Sequence, residues 1–424
     1  MDSIRQNIKR FIPKTIFNFF QPFYHLLLAY WGDKKYHHPS QDIMVIAVTG
    51  TKGKSSTTEL IAHILRASGK KVASLSTIQF SIDGHTEPNM YKMTMPGRFF
   101  VQKFLRDAVD AGCTHAVVEM TSEGAKQFRH KYIDLDALVF TNLAPEHIES
   151  HGSFEKYKAA KLTLAQAVAN SPKRSRYLVS NIDDEYGQEF LNFTVEHLLP
   201  YSLKDLNLYT LHKDGASLVI ENVTIRVPLV GLFNVYNTLA AITITRALGV
   251  SLQTIQNSLR ELPPLKGRVE HFESPAEAAK KITAVVDYAH TPDSLTKLYE
   301  AFPNRHKVCV LGNTGGGRDT WKRPEMGAIA EKYCDQIILT NEDPYDEDPV
   351  KIVNDMKAGM SADAPVEIIM DRREAIKKAI EITPYGGCVL ISGKGTDPYI
   401  MGPNNTKEPW SDAQVVKELL AEVS

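Results

Sequence analysis

The chain is short of cysteine, of net charge and of long apolar runs, and each shortage closes off a class of protein. Only four cysteines occur in 424 residues, Cys113, Cys309, Cys334 and Cys388. They form no CxxC pair and no zinc-type spacing, so the expectation is reduced thiols of a cytoplasmic protein, not a disulfide framework. The 49 Lys and Arg against 50 Asp and Glu leave a formal net charge of −1. That balance gives no electrostatic reason to expect a nucleic-acid partner, since phosphate affinity needs a basic excess. No low-complexity or charge-block segment is present, and the 43% apolar and 23% charged composition is that of a folded globular chain. Its length suggests roughly two to four domains.

The most hydrophobic stretch, Phe11 to Trp31, follows the basic residues Arg5, Lys9 and Arg10. Lys14, Asn18, Gln21, Pro22 and His25 interrupt it. No clean apolar span of about 20 residues results, and Gly32-Asp33-Lys34-Lys35 is no cleavage site. The stretch reads as short helices docking on the next domain, because apolar stripes are usually buried. A second reading is an amphipathic segment making peripheral contact with a membrane surface.

Beyond Ser40 the pattern becomes α/β. Ile43–Val48 is a short β-branched run of the buried parallel type, and strand-like runs recur at 71–75, 116–119, 137–141 and 177–181. Helical patterns lie between them at 56–67, 99–111 and 154–169, which implies a mostly parallel sheet with helices on both faces. Residues 203–229 alternate apolar and polar in antiparallel fashion, and helices follow at 234–248 and 252–259. Leu262-Pro263-Pro264-Leu265-Lys266-Gly267 is the best linker candidate. After it, alternation resumes through strands at 283–288, 307–311, 336–340 and 388–392. The expected division is a helical segment 1–42, a central α/β domain 43–264 and a C-terminal α/β domain 265–424.

The strongest chemical signal is Thr49-Gly50-Thr51-Lys52-Gly53-Lys54-Ser55-Ser56, between a predicted strand and a predicted helix. Turn glycines let backbone N–H groups surround a polyphosphate, Lys54 neutralises charge, and Ser55 offers a hydroxyl to Mg²⁺. Val48 stands where the full phosphate-loop pattern has a glycine, so only the GxxGK[ST] half matches. Candidate hard-oxygen partners lie at later strand ends, where open α/β sheets bind ligands: Glu119, and Glu146 with His147. Taken singly, these and the helical Lys161 are ordinary surface groups. Two further glycine-rich stretches, 312–319 and 393–397, follow strands, and the acidic run 341–348 lies between them.

Together these motifs resemble the Mur ligase family of ATP-dependent amide-forming enzymes. They are most similar to the members that add the third amino acid of the peptidoglycan stem. The likeness runs from about Ile43 to the C-terminus through TGTKGKS (49–55), MTMPG (93–97), EMTSEG (119–124), FTNLAPEHIESHGSFEKYKAAK (140–161), GLFNVYN (231–237), LKGRVE (265–270), VVDYAHTPDSL (285–295), GGGRDTWKRPEMGAIA (315–330) and SGKGTDPY (392–399). The implied fold is a P-loop-type ATPase domain followed by a Rossmann-like α/β domain.

The resemblance implies that Gly50, Thr51, Lys52, Gly53, Lys54, Ser55 and Ser56 contact ATP. Ser55, Glu119 and His147 would ligate Mg²⁺, and Lys161 would be carbamylated to hold a second ion. Asn234 and Asn237 would lie beside adenine, and Arg268, Asp287 and His290 would be the second domain's contributions to ATP. Thr94, Thr121, Gln127 and Arg129 would hold a muramoyl-dipeptide, and Arg318, Asp343, Gly393 and Asp397 would surround the incoming amino acid. The catalytic set is Lys54, Glu119, His147, Lys161 and Arg268. A substrate carboxylate would attack the γ-phosphate to give an acyl phosphate, which the amine then attacks. Small-molecule substrates, a cytoplasmic location and a monomer are expected.

Three departures stand out. About 42 residues replace the family's uridine-binding domain, which puts recognition of a UDP moiety in question. The family's S-S-H-G reads Thr121-Ser122-Glu123-Gly124, without its histidine. The D-N-P-R of diaminopimelate-adding members reads Glu342-Asp343-Pro344-Tyr345, and Tyr345 cannot pair with a distal carboxylate. An amino acid ending in an ammonium, such as L-lysine, suits Asp343, Asp346 and Asp397 better, unless Arg372 or Arg373 supplies the missing charge. Alternatives are a ligase of the folylpolyglutamate or cyanophycin type on a non-UDP acceptor, and a catalytically degenerate nucleotide-binding scaffold.

Overall fold

The computed structural model describes residues 14–423 except His147 and Arg318, with backbone only at 14–20 and 22. Arg5, Lys9, Arg10 and the start of the apolar stretch therefore lie outside the described residues, as do two of the candidate site residues, His147 and Arg318. The chain divides into two units: one runs to Leu203 and includes Leu239–Thr254, and the other comprises Lys204–Thr238 and Ile255–Ser424.

The first unit is built on an eight-stranded sheet, of β1 (Met44–Thr49), β2 (Val72–Leu75), β3 (Gln79–Ile82), β4 (His85–Pro88), β5 (His115–Glu119), β6 (Ala137–Phe140), β7 (Tyr177–Asn181) and β8 (His197–Tyr201). Their order is β4-β3-β2-β5-β1-β6-β7-β8. Six strands run parallel, and β3 and β4 form an antiparallel edge. Val48 of β1 lies opposite Glu119 of β5 on one side and Val139 of β6 on the other. The carboxyl ends of these three strands therefore open at one place, where the strand order reverses and ligands of open α/β sheets bind. Val45, Ala47, Val118, Leu138, Phe140, Leu105 and Leu164 form part of the buried core that fixes this register.

In the second unit β9 (Leu208–His212), β10 (Gly215–Ile220) and β11 (Val223–Val227) form an antiparallel meander. A six-stranded sheet follows, of β12 (Glu270–Glu273), β13 (Thr283–Val286), β14 (Lys307–Leu311), β15 (Gln336–Leu339), β16 (Val366–Ile368) and β17 (Cys388–Ile391). Its order is β12-β13-β17-β14-β15-β16, parallel except for β12. Alternate residues of β14 feed different cores: Cys309 and Leu311 pack on one face, Val308 and Val310 on the other. Both faces are therefore covered, as the continuous apolar runs require.

One sequence expectation fails here. Cys309 and Cys334 are joined in a disulfide, with Cα atoms 6.1 Å apart, while Cys113 and Cys388 are buried free thiols. Cys309 faces the core against which helix Lys322–Tyr333 packs, and Cys334 is that helix's C-cap. Tertiary packing thus brings together two residues that a gap of 25 in sequence gives no reason to pair.

The same helix carries Arg323, whose side chain is wholly buried and bonds Glu347 at 2.6 Å and Asp355 at 2.9 Å. The Arg323 hydrogen bonds hold the Glu347 carboxyl at about 2, below its ordinary 4.5. A depressed carboxyl stabilises the fold fully above its unfolded value and loses that contribution as pH falls toward the folded one. Glu347→Gln should therefore lower the urea midpoint at about pH 7 and narrow its difference from wild type at about pH 3. Equal losses at both pH values would show that the pair does not act through charge.

Candidate nucleotide and acceptor site

In the first unit, β1 runs into the loop 50–53 and then into helix Lys54–Ala67. Gly50 has φ +148°, and a Cβ there would lie 2.0 Å from Thr141 Oγ1. No other residue fits that turn. Gly53 caps the helix in the left-handed region at φ 80°. The loop is clamped from the end of β6: Thr51 N–H donates to the Asn142 carbonyl (2.8 Å), and Lys52 N–H to Asn142 Oδ1 (2.9 Å). Asn142 Nδ2 and Thr141 Oγ1 both donate to the Lys52 carbonyl. Lys54 Nζ bonds the Thr51 carbonyl at 2.8 Å, and Ser55 and Ser56 are buried in the first turn. Lys52 pairs with Glu146 at 2.7 Å.

Glu119, at the end of β5, accepts from Ser55 Oγ (2.9 Å), Thr77 N–H (2.8 Å) and Thr77 Oγ1 (3.1 Å). The structure thus brings Lys54, Ser55 and Glu119 together around the loop. Lys161 joins them from helix Phe154–Ala169. It is 1% exposed, donates to the Gly50 carbonyl at 2.6 Å and lies 4.8 Å from the centre of the Tyr157 ring. Burial, then the nearby Lys54 cation, holds its ammonium well below the ordinary lysine value. Among the described residues no group of three His, Cys, Asp or Glu side chains is arranged to hold a metal. The donors present, a serine hydroxyl and a carboxylate, are nonetheless the hard oxygens Mg²⁺ prefers. An ion bridged to phosphates needs only one or two of them from protein. The residues fit a nucleotide-borne Mg²⁺.

The candidate acceptor residues cluster beside this loop. Thr94 Oγ1 lies 2.6 Å from Thr77 Oγ1, and Thr121 caps helix Ser122–Lys126 by accepting from Gly124 N–H. Arg129 donates to Gln127 Oε1 (2.8 Å) and to the Met95 carbonyl, and Gln127 donates to Glu123 (2.7 Å). Glu123, where the family pattern has histidine, is also bonded by Ser150 at 2.9 Å. The motifs gave no sign of Arg98, which binds the Gln127 carbonyl through two nitrogens, or of His25. Both ring nitrogens of His25 are buried without a hydrogen bond. Burial, then the charges of Arg98 and Arg129, pushes its imidazolium down to about 4. The sequence signal that could have pointed to His25 is a polar residue inside an apolar stretch.

In the second unit Asn234 and Asn237 are buried on one helix turn, bonded to each other at 3.1 Å. Arg268 stacks 4.6 Å over Tyr288. Asp287 accepts from Val269 and Ala289 N–H, and His290 Nδ1 lies 2.6 Å from the Tyr288 carbonyl. At the other glycine-rich stretch, Asp343 accepts from Lys394 Nζ and Met401 N–H, both at 2.8 Å. Asp397 lies 3.8 Å from the same lysine. Gly393, at φ +105°, would place a Cβ 2.1 Å from Glu342 Oε2, a buried oxygen with no hydrogen bond. Burial, then Asp343, raises the Glu342 carboxyl. Arg372 is buried and bonded at 2.7 Å to both Asp412 oxygens, and Arg373 pairs with Glu418. Sequence reasoning missed Lys394 and Glu342, and neither arginine is left to replace the one absent at Tyr345.

Comparison with known proteins gives the same answer for both units. The Mur ligase middle domain matches residues 48–245, and the Mur ligase glutamate ligase domain matches 267–395. The UDP-N-acetylmuramoyl-L-alanyl-D-glutamate--2,6-diaminopimelate ligase of Geobacillus thermodenitrificans is 35% identical over 387 residues, 88% of this chain and 78% of that protein. The chain belongs to the Mur ligase family. The ligase of the same name from Synechococcus elongatus is 37% identical over 401 residues, covering 91% and 78%. A solved structure of a 2,6-diaminopimelate ligase of that name superposes with a TM-score of 0.60 at 30% identity, over 89% of this chain and 78% of the other. This Mur ligase is an ATP-dependent enzyme that forms an amide with an amino acid.

Gly50→Ala tests the loop geometry. The added methyl must displace Thr141, so the expected result is a loss of about 2 kcal/mol in stability and at least about tenfold in nucleotide affinity. Denaturant unfolding and titration with a fluorescent ATP analogue would read both. Unchanged affinity would show that the loop does not hold the nucleotide.

Proposed function

We propose that this Mur ligase adds a diamino acid to UDP-N-acetylmuramoyl-L-alanyl-D-glutamate at the expense of ATP, through an acyl phosphate. The observation that carries the reading is the Gly50–Ser56 loop with Glu119 and Lys161 at its mouth, in a chain with both Mur ligase domains. Loop amides and Lys54 would orient the polyphosphate so that the acceptor carboxylate meets the γ-phosphorus in line. Ser55 and Glu119, with His147, would hold Mg²⁺, which supplies charge neutralisation at the phosphates. Thr94, Thr121, Gln127 and Arg129 would place the acceptor. Asn234, Asn237, Arg268, Asp287 and His290 serve the nucleotide, and Arg318, Asp343, Gly393 and Asp397 the amino acid. The protein acts in the cytoplasm as a monomer.

Lys161 is the residue whose role chemistry narrows most. It is fully buried, and among the described residues its ammonium has a carbonyl partner but no carboxylate at ion-pair distance. A neutral amine there adds CO₂ and releases one proton, giving a carbamate that turns an unfavourable buried cation into an anion beside the metal site. Labelling with ¹³C-bicarbonate should give a carbamate resonance that Lys161→Ala abolishes. The same variant should lose turnover by about 100-fold, unrelieved by bicarbonate. Near-native activity would sink the assignment.

For the amino acid, L-lysine is the favoured reading, because Tyr345 replaces the guanidinium and both Arg372 and Arg373 are engaged elsewhere. The second reading, meso-diaminopimelate, is favoured by the names of the relatives. ATP-dependent phosphate release with the UDP-muramoyl dipeptide, run with each amino acid, decides between them. Turnover with lysine alone bears out the charge argument, and turnover with diaminopimelate alone overturns it. Silence with both, while ATP binds, overturns the UDP-linked acceptor.

A further inference from the structure

Helix Lys14–Lys35 is amphipathic the wrong way round for a docked helix. At about 100° per residue, its inward arc consists of Gln21, His25, Leu28, Ala29, Gly32 and Asp33, small or polar residues except for Leu28, which is half-buried at the arc's edge. Gly32 sits against Phe99 and Gln102, where an added Cβ would lie 3.6 Å from each, so the backbones approach closely. Asp33 is buried and bonded to His38 at 2.6 Å. The outward arc carries Leu26, Leu27, Tyr30 and Trp31, with Leu27 54% and Trp31 56% exposed. Phe23 and Tyr24 are exposed on the same arc, and Tyr132 extends it by packing its ring 5.6 Å from that of Tyr30.

A monomer rarely leaves so many large apolar side chains contiguous in water unless the patch binds something. The charges on the patch say what. Among the described residues its exposed ionised groups are cations, Lys34 and Lys35 on the last turn and Lys131 beside Tyr132, while the half-buried Asp134 carboxylate lines the hollow between Tyr30, Lys34 and Tyr132. The helix's one carboxylate, Asp33, is turned inward and already paired. Leucines flanked by tyrosine and tryptophan, with lysines at the margin, match an anionic bilayer surface. Aromatic rings settle at the headgroup level there, and lysines reach outward to lipid phosphates. No described helix is long and apolar enough to cross a membrane, so the contact would be in plane.

We propose that the outward face of this helix, centred on Leu27, Tyr30 and Trp31 and edged by Lys34 and Lys35, is a docking surface for an anionic lipid bilayer. The inference is independent of which amino acid the ligase adds. The test is co-sedimentation of the full chain with phosphatidylcholine vesicles, with or without phosphatidylglycerol, alongside sedimentation velocity of the protein alone. The expected result is pelleting with the anionic vesicles, weakened by salt. Leu27→Glu/Trp31→Glu and Lys34→Glu/Lys35→Glu should each reduce it by about tenfold or more. All four positions are exposed, so the variants should melt as wild type and retain ATP-dependent ligation of soluble substrate. No pelleting with either vesicle, or pelleting that neither variant reduces, overturns the proposal. So does a self-associated chain that Leu27→Glu/Trp31→Glu converts to monomer, because the occupant would then be a second copy.

Discussion

The hydrogen bonds between the turn after β6 and the loop after β1 set the geometry on which the rest of the first unit's site depends. Thr141 occupies the space that a side chain at position 50 would need, and with Asn142 it ties down the backbone of Thr51 and Lys52 from both directions. A glycine-rich loop alone is floppy, and each residue fixed costs on the order of 1–2 kcal/mol of conformational entropy. The clamp supplies compensating bonds. Its effect reaches further than the loop. With Gly50 so placed, its carbonyl accepts from Lys161, and Thr51 Oγ1 meets Tyr157 OH at 2.9 Å. Both partners are on helix Phe154–Ala169, so strand, turn and helix converge on one backbone conformation. Ser55 then faces Glu119 as a consequence.

Charge in the two units is arranged to different ends. Around the loop, Lys52 is paired with Glu146, burial disfavours the Lys161 ammonium, and Glu119 spends its oxygens on hydroxyls and an amide rather than on a cation. The positive charge at the loop thus rests on Lys54, bonded to the Thr51 carbonyl. Near Gly393 the reverse holds. Asp343 and Lys394 form a buried, mutually satisfied pair, and Asp343 also anchors the backbone of Met401. Its carboxylate fixes the segment around residues 399–401, and the Glu342 oxygen facing Gly393 is the carboxylate atom there that makes no hydrogen bond. A site that recognises an ammonium needs such remaining acceptor capacity, which a completed ion pair does not offer.

What could be read from sequence follows the range of the interactions involved. The central parallel strands and the helix Phe154–Ala169 were legible because burial on both faces and helical periodicity are local patterns, whereas the parallel edge strands β8 and β16, only partly buried, were not. The edge hairpin of β3 and β4 was missed although β3 alternates and Asp83-Gly84 is a two-residue turn with both residues at positive φ, because the partner His85-Thr86-Glu87-Pro88 is polar and exposed throughout. The glycine-rich turn between β1 and helix Lys54–Ala67 was legible because its geometry is local. Thr77, Asn142 and Lys394 were hidden, because each acts through a contact with a residue at least 42 positions away. The Cys309–Cys334 bridge belongs to the same class. Spacing rules for cysteines describe motifs, while a strand-to-helix packing can join any two.

Helix Lys14–Lys35 shows a different limit. Apolar periodicity says that a helix has two faces but not which of them meets the protein. The expectation of docking through the apolar side assumed that the neighbouring surface offers apolar holes. Helix Arg98–Asp110 instead presents Phe99 and Gln102 to Gly32, a contact that rewards close backbone approach and excludes bulky side chains. Once glycine and alanine line the contact, helical geometry turns Leu26, Leu27, Tyr30 and Trp31 outward and leaves Leu28 half-buried at its edge. The identity of the small residues, more than the hydrophobicity of the large ones, decides the orientation.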